Sequence, residues 1–238
     1  MEIFWGELIG TMILIRRENG AVANVLLKGS KGHASGWIVI TAGWGFAVAI
    51  AAYIAGWVSG AHINPAITLA LAIAGKSPWS TVPLYCFAQL LGAMLGAVLV
   101  WLTYYPHWKV TENMEAKFSC FATKPAIRNL FWNFVTECIA TFVLVFGVLA
   151  IMDPHNQVTG GMVPYLVGIL VFVIGLSLGG PTGYAINPAR DLGPRIMYYF
   201  LPVSRRRSFD ITYAWVPILG PFAGGALAAL GYQLFFSP

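Results

Sequence analysis

Two asparagines stand where a chain places hydrogen-bond donors at the tip of a helix: Asn64 in Asn64-Pro65-Ala66 and Asn187 in Asn187-Pro188-Ala189. Proline suits the first helical position, and asparagine suits the cap before it. A helix N-terminus carries roughly half a positive charge, so each tripeptide reads as a positive, donor-bearing tip. Each follows a glycine-led approach, Gly60-Ala61-His62-Ile63 and Gly183-Tyr184-Ala185-Ile186. One such cap is ordinary. Two, 123 residues apart (64 to 187), imply an internal repeat whose two tips aim at a common place. The chemistry this offers is hydrogen-bond recognition of something passing, with no bond made or broken.

Two carboxylates repeat in the same way. Glu7 opens Glu7-Leu-Ile-Gly-Thr11, and Glu137 opens Glu137-Cys-Ile-Ala-Thr141, offset by 130 residues (7 to 137). A carboxylate inside an apolar span is costly unless paired or hydrogen-bonded, and so is a functional candidate by default. Either the pair braces the glycine-led approaches by accepting backbone N–H groups, or it relays protons. A relay needs a chain of titratable partners, and none is spaced to supply it, which favours the brace. A membrane enzyme would need a nucleophile–base pair or a metal cluster. The four histidines are scattered, and Cys86, Cys120 and Cys138 have neither pairing nor metal spacing. No catalytic residue, metal or cofactor is expected.

The elements that must hold these residues follow from composition. Hydrophobic residues make up 58 % of the 238-residue chain and charged residues 10 %, against roughly 25 % charged in soluble domains; mean hydropathy is +0.72. A bilayer needs about 20 apolar residues per helix, which allows six spans, at 4–27, 36–58, 80–105, 130–152, 162–180 and 212–236. The segments starting at Asn64 and Asn187 are left over, each about 10–13 residues long and too short to cross. They read as re-entrant half-helices. Irregular backbone at membrane depth is tolerated only where it is buried in protein or lines a wet cavity, as the two approaches would if they bordered a pore. Three spans separate the repeated motifs, so the halves are inverted relative to one another, an arrangement that places sites at the midplane. The expected fold is therefore all-α: six transmembrane helices, two half-helices and one channel domain over 1–238. The first repeat covers about 1–105 and the second about 130–238, joined by the loop 106–129. The net charge of +5 sits mostly in loops, which suits solvent and lipid head groups and gives no reason to expect nucleic acid. The first span begins almost at Met1 without a basic leader or a small-residue cleavage site, so no cleavable signal is expected.

These residues carry a family resemblance. The doubled Asn-Pro-Ala, the run Ser59-Gly60-Ala61-His62-Ile63-Asn64-Pro65-Ala66 and the run Gly180-Pro181-Thr182-Gly183-Tyr184-Ala185-Ile186-Asn187-Pro188-Ala189-Arg190-Asp191 resemble the major intrinsic proteins over essentially the whole chain. The resemblance implies a channel in the cell membrane, a homotetramer with one pore per subunit, and cytoplasmic termini. It also implies a narrow ring at Trp44, Gly175, Tyr184 and Arg190. Water-selective members place histidine where this chain has Gly175, so glycine is expected to open space beside Arg190 while Trp44 and Tyr184 offer an apolar corner. Asp191 directly after Arg190, Arg195 beyond it, and Pro217-Ile218 in place of two aromatics resemble the glycerol facilitators. Those typically have phenylalanine at Tyr184, and the added hydroxyl leaves better water passage, dihydroxyacetone or undissociated lactic acid open as preferences. The expected mechanism is passive. Asn64 and Asn187 donate to the solute, the carbonyls of Gly60, Ala61, His62, Ile63, Tyr184, Ala185 and Ile186 accept from it, and Arg190 with the half-helix tips repels cations and protons, as is known for aquaporin-type pores. Asp191, in the first turn of its half-helix, favours the dipole there. The alternatives are a water-selective channel and a junction-forming structural protein without solute flux.

Two features fit poorly. Arg16-Arg17-Glu18 interrupts the first span where relatives usually have an apolar pair and a glycine; the three must pair, face a wet cavity or face the subunit axis. With cytoplasmic termini, only Lys76 lies in an inner loop, while Lys28, Lys31, Lys109 to Arg128 and Arg205 to Arg207 lie outside. The positive-inside rule alone argues the opposite orientation.

Overall fold

The structure, a computed structural model, describes residues 1–159 and 161–236. Its helices are α1 (Glu2–Leu26), α2 (Trp37–Ser59), α3 (Pro65–Ile73), α4 (Val82–Thr103), α5 (Tyr105–Val110), α6 (Met114–Ser119), α7 (Leu130–Ile151), α8 (Met162–Leu178), α9 (Pro188–Phe200), α10 (Ile211–Ala214) and α11 (Val216–Phe236). Four segments are long and apolar enough to cross a membrane: Trp37–Ser59, Trp79–Thr103, Leu130–Ile151 and Ile211–Phe236. Helix α8 is as apolar but 17 residues long, and α1, at 25 residues, carries Glu2, Glu7, Arg16, Arg17 and Glu18. These two complete the six spanning helices, each within about two residues of its expected start. The half-helices are α3, with nine residues, and α9, with 13. At 1.5 Å per residue neither approaches the ~30 Å hydrocarbon thickness. The segment expected as the loop 106–129 contains most of α5 and all of α6, the latter capped by Asn113, whose side chain accepts from the backbone N–H groups of Glu115 and Ala116.

Apolar surface gives little driving force between helices in lipid, so close backbone approach through small residues has to supply packing. The two repeats use the same device. A Cβ on Gly92 of α4 would stand 2.3 Å from the carbonyl oxygen of Leu8 on α1, and one on Gly224 of α11 would stand 2.1 Å from that of Cys138 on α7. Between the halves, α2 and α8 cross at Gly45 and Gly168, where a Cβ on either would lie 2.6 Å from the other's carbonyl oxygen. Alanine at any of these would push two helices apart. The tight pairs leave α3 and α9 enclosed by the spanning helices, with most of their side chains buried. The two Asn-bearing tips meet in the middle of the bundle.

Candidate functional site

The tips are tied to each other. Asn64 Oδ1 accepts from Ala66 N at 2.9 Å, and Asn187 Oδ1 accepts from Ala189 N and Arg190 N at 3.1 and 3.2 Å. Both are therefore the expected caps. Their amide nitrogens reach across: Asn64 Nδ2 donates to the Ile186 carbonyl and Asn187 Nδ2 to the Ile63 carbonyl, each at 2.9 Å. This corrects the expectation that the amides and these carbonyls are wholly free for a solute. Each amide has two N–H donors and each carbonyl two lone pairs, so one donor and one lone pair remain at each tip.

The approaches take an unusual backbone path. Gly60, Ala61 and Ile63 have φ of 83°, 50° and 45°; Gly183, Tyr184 and Ile186 have 80°, 37° and 45°. The same three places of each repeat are left-handed, a region sparsely allowed for any side chain and least for β-branched isoleucine. Such strain, of order 1–3 kcal/mol per residue, persists only where surroundings over-determine it. The carboxylates are those surroundings. Glu137 accepts from Ala185 N through Oε1 and from Ile186 N through Oε2, both at 2.9 Å. Glu7 accepts from His62 N at 3.0 Å and Ile63 N at 2.7 Å, and also from Ser59 Oγ and Gln89 Nε2. Both carboxylates are fully buried. Turning peptide N–H groups toward them turns Gly60, Ala61, His62, Ile63, Ala185 and Ile186 onto the wall of a cavity of about 580 Å³. The His62 ring stacks on Tyr85, its centroid 4.1 Å away, and its Nδ1 lies 3.2 Å from Thr68 Oγ1.

That cavity ends at Trp44 and Arg190, which also wall a second cavity of about 310 Å³ bordered by Tyr184, Gly183 and Thr123. The constriction lies between the two. Three of the four ring residues meet there: the Trp44 and Tyr184 rings are 4.7 Å apart, and the Arg190 guanidinium carbon lies 3.9 Å over the Trp44 ring. Four buried polar atoms at this point have no hydrogen-bond partner: Trp44 Nε1, the Tyr184 hydroxyl, and Arg190 Nε and Nη1. Gly175 plays a different part from the one expected. A Cβ there would lie 2.8 Å from Tyr184 Cζ, from the Tyr184 hydroxyl and from Thr41 Cγ2. The absent side chain leaves room that Tyr184 occupies, so the expected open corner beside Arg190 is filled by the phenol. Gly175 sets the aperture through where it lets Tyr184 lie.

Asp191 does more than favour a helix dipole. It accepts from Thr123 N and Oγ1 at 2.7 and 2.6 Å and pairs with Arg195 Nε at 2.7 Å, all buried. Arg195 continues to the carbonyls of Thr123, Phe209 and Asp210. The second half-helix is thereby fastened to the segment at Thr123 and to the segment at Phe209 and Asp210. Gln89 and Thr123 entered no expectation, and Ser59 entered only as part of the run before Asn64, since a lone polar residue near a span end gives no signal until its partner is known. The charged triplet of α1 splits: Arg17 is exposed, Arg16 is half-buried, and Glu18 is 2 % exposed and lines the larger cavity with Trp44 and Arg190.

Comparison with known proteins agrees with this geometry. Residues 2–232 match the major intrinsic protein family. The chain is 56 % identical to a probable glycerol uptake facilitator protein of Thermotoga maritima over 236 residues, covering 99 % of this chain and 100 % of that one. It is 53 % identical to the glycerol uptake facilitator protein of Bacillus subtilis, covering 99 % and 85 % respectively. Among solved structures, it is similar to the aquaglyceroporin from Plasmodium falciparum, with a TM-score of 0.89 at 31 % identity over 100 % of this chain and 97 % of that one. The match over residues 2–232 assigns the chain to a family of channels, not of enzymes. The chain is a multi-pass membrane channel that belongs to the major intrinsic protein family, in its aquaglyceroporin branch.

Proposed function

We propose that this chain conducts glycerol and similar small uncharged solutes passively across the cell membrane, passes water as well, and excludes ions and protons. The observation that carries this is the constriction: aromatic faces of Trp44 and Tyr184 on one side, and unpartnered donors of Arg190, Trp44 and Tyr184 around the same point. A polyol has a wet edge of hydroxyls and a greasy edge of CH₂ groups, and each finds its counterpart there. The remaining lone pairs of the wall carbonyls and the free N–H of Asn64 and Asn187 continue the exchange inward. Each bond traded with water is worth only about 0.5–1.5 kcal/mol net, so the solute is neither trapped nor refused. A cation meets Arg190 and two positive half-helix tips with too few ligands to replace its hydration. Glu7 and Glu137 brace the approaches and carry no protons through the pore. The names of the glycerol facilitator relatives support the same solute class.

Residues 1–238 then form one channel domain, with repeats of about 1–105 and 130–238, assembled as a homotetramer with one pore per subunit and cytoplasmic termini, as the family resemblance implies. A water-selective pore is the second reading, favoured by one observation: Tyr184 fills the corner beside Gly175. Stopped-flow light scattering on proteoliposomes, comparing water, glycerol, dihydroxyacetone and erythritol, separates the two. Water flux without glycerol flux above empty vesicles refutes the proposal; absence of both would favour a purely structural protein.

A further inference from the structure

Trp37 has no part in the mechanism above, yet it packs on the residue that shapes the ring. Tyr184 reaches the constriction from a pinned backbone: its own φ is 37°, and the next two N–H groups are held by Glu137. Where the phenol lies is then a matter of its side-chain torsions. No hydrogen bond fixes them, because the buried Tyr184 hydroxyl has no partner. Packing has to do so. On α8, Gly175 and Gly179 form a floor one turn apart: a Cβ on the first would stand 2.8 Å from Tyr184 Cζ, and one on the second 2.5 Å from Tyr184 Cδ1. On α2, Trp44 and Trp37 form walls two turns apart, with ring centroids 4.7 and 6.0 Å from that of Tyr184. The walls differ in place. Of the two cavities that meet at the constriction, Trp44 borders both, whereas Trp37, like Tyr184, borders only the outer one. That cavity, of about 310 Å³, is the free space into which the phenol could swing, and Trp37 closes the cradle on that side. Its indole meets the phenol edge to face, at 74° between planes, an arrangement aromatic pairs favour. The indole is itself tied down, since Trp37 Nε1 donates to the Gly175 carbonyl at 3.0 Å. One glycine thus seats the phenol and anchors the indole that retains it. A tryptophan at the start of a spanning helix is ordinarily an interfacial anchor, but an anchor has no need of a bond across to α8.

We propose that Trp37 is a positioning residue for Tyr184 and so a determinant of which polyols pass: it keeps the phenol in its cradle against α8, and with it the width of the ring. This rests on the reading of Trp44, Tyr184 and Arg190 as the narrow ring. With Trp37 present, the corner beside Gly175 stays filled. With a smaller side chain there, the phenol swings into the outer cavity, the corner opens beside Arg190, and a polyol longer than glycerol gains most. Trp37 lies at the first position of α2 and is 42 % exposed, so it can be truncated without emptying the core.

The test is a double-mutant cycle in proteoliposomes of the full-length protein: wild type, Trp37→Leu, Tyr184→Ala and the double variant, read as the ratio of erythritol to glycerol permeability. A ratio is used because misfolded channels lower both fluxes alike and leave it unchanged. Trp37→Phe is run beside Trp37→Leu in case leucine prevents folding, and each protein is checked by its size-exclusion profile. The expected result is that Trp37→Leu raises the ratio by at least about twofold, the lower end for coupled residues, and changes it little once Tyr184 is alanine. Trp37→Phe, which keeps a ring but cannot donate to Gly175, should shift it the same way by less. A folded Trp37→Leu with an unchanged ratio overturns the proposal. So does an equal change in both backgrounds, which would mean that Trp37 acts without Tyr184. Wild-type vesicles that pass no glycerol would refute the ring's assignment to polyols, yet the same cycle read on water flux would still decide whether Trp37 acts through Tyr184.

Discussion

Replacing Glu137 with glutamine should separate a brace from a proton carrier. Glu137 uses one oxygen for each of two adjacent backbone N–H groups, those of Ala185 and Ile186, each at 2.9 Å. Glutamine keeps the volume and one acceptor, but its NH₂ must face one of those two N–H donors, leaving a buried donor unsatisfied. Losing a hydrogen bond to a charged group costs ~1.5–3 kcal/mol. The loop it anchors holds Tyr184 and Ile186 at φ of 37° and 45°, so no relaxed conformation compensates without moving the ring. At ~2–4 °C per kcal/mol for a chain of this size, the melting temperature in detergent should fall by about 3–12 °C. Glu7→Gln should cost less. Ser59 and Gln89, which donate to Glu7, can each turn to accept from the new NH₂, whereas Glu137 has two backbone N–H donors and, beyond them, the Thr182 hydroxyl alone. Fluorescence-detected size exclusion after heating measures the stability. Glycerol uptake into vesicles with and without an imposed pH gradient measures the function. The folded Glu137→Gln fraction should conduct at a rate indifferent to the gradient. An unchanged melting temperature refutes the brace. Gradient-driven glycerol accumulation in the wild type, abolished in the variant, refutes the passive channel altogether.

Three further outcomes are expected. Gly175→Ala puts a methyl 2.8 Å from the Tyr184 hydroxyl and ring tip, pushing the phenol toward Arg190; glycerol permeability should drop severalfold while water falls less, and equal losses would mean Tyr184 does not set the aperture. Arg190→Val should keep uncharged-solute flux but admit monovalent cations, since the ring then loses its fixed positive charge; vesicles that remain ion-tight by a membrane-potential dye would assign exclusion to the half-helix tips alone. Outside the spanning helices, Arg128 hydrogen-bonds Asp210 at 2.7 Å and holds its carboxyl below the usual range. That contribution is present above the ordinary carboxylate value and is lost as pH falls through the lowered one, so trypsin should cut at Arg205-Arg206-Arg207 faster in Asp210→Asn at neutral pH. Equal cutting rates in the variant and the wild type would show that this pair does not hold the loop.

Much of this protein is legible in its sequence because membrane insertion makes local sequence decisive. Apolar runs near 20 residues that enter lipid become spanning helices, since only a helix satisfies its backbone hydrogen bonds within a single segment, and Asn-Pro suits a helix cap and first position. The six spans, the two caps at Asn64 and Asn187, and the paired carboxylates Glu7 and Glu137 follow from those rules and from the repeat. What tertiary structure alone decides is where unlike elements meet. Gly175 signalled an empty corner, but emptiness depends on what packs against it, and Tyr184 comes from another segment. The cross-bonds of Asn64 to Ile186 and Asn187 to Ile63 join residues more than 120 positions apart, which no local pattern encodes. Glu18 was visible only as a misplaced charge in α1. Its rotation toward the cavity, while Arg17 of the same turn is exposed, is fixed by the packing of α1 against its neighbours, and that packing puts it on the cavity wall that Arg190 also lines.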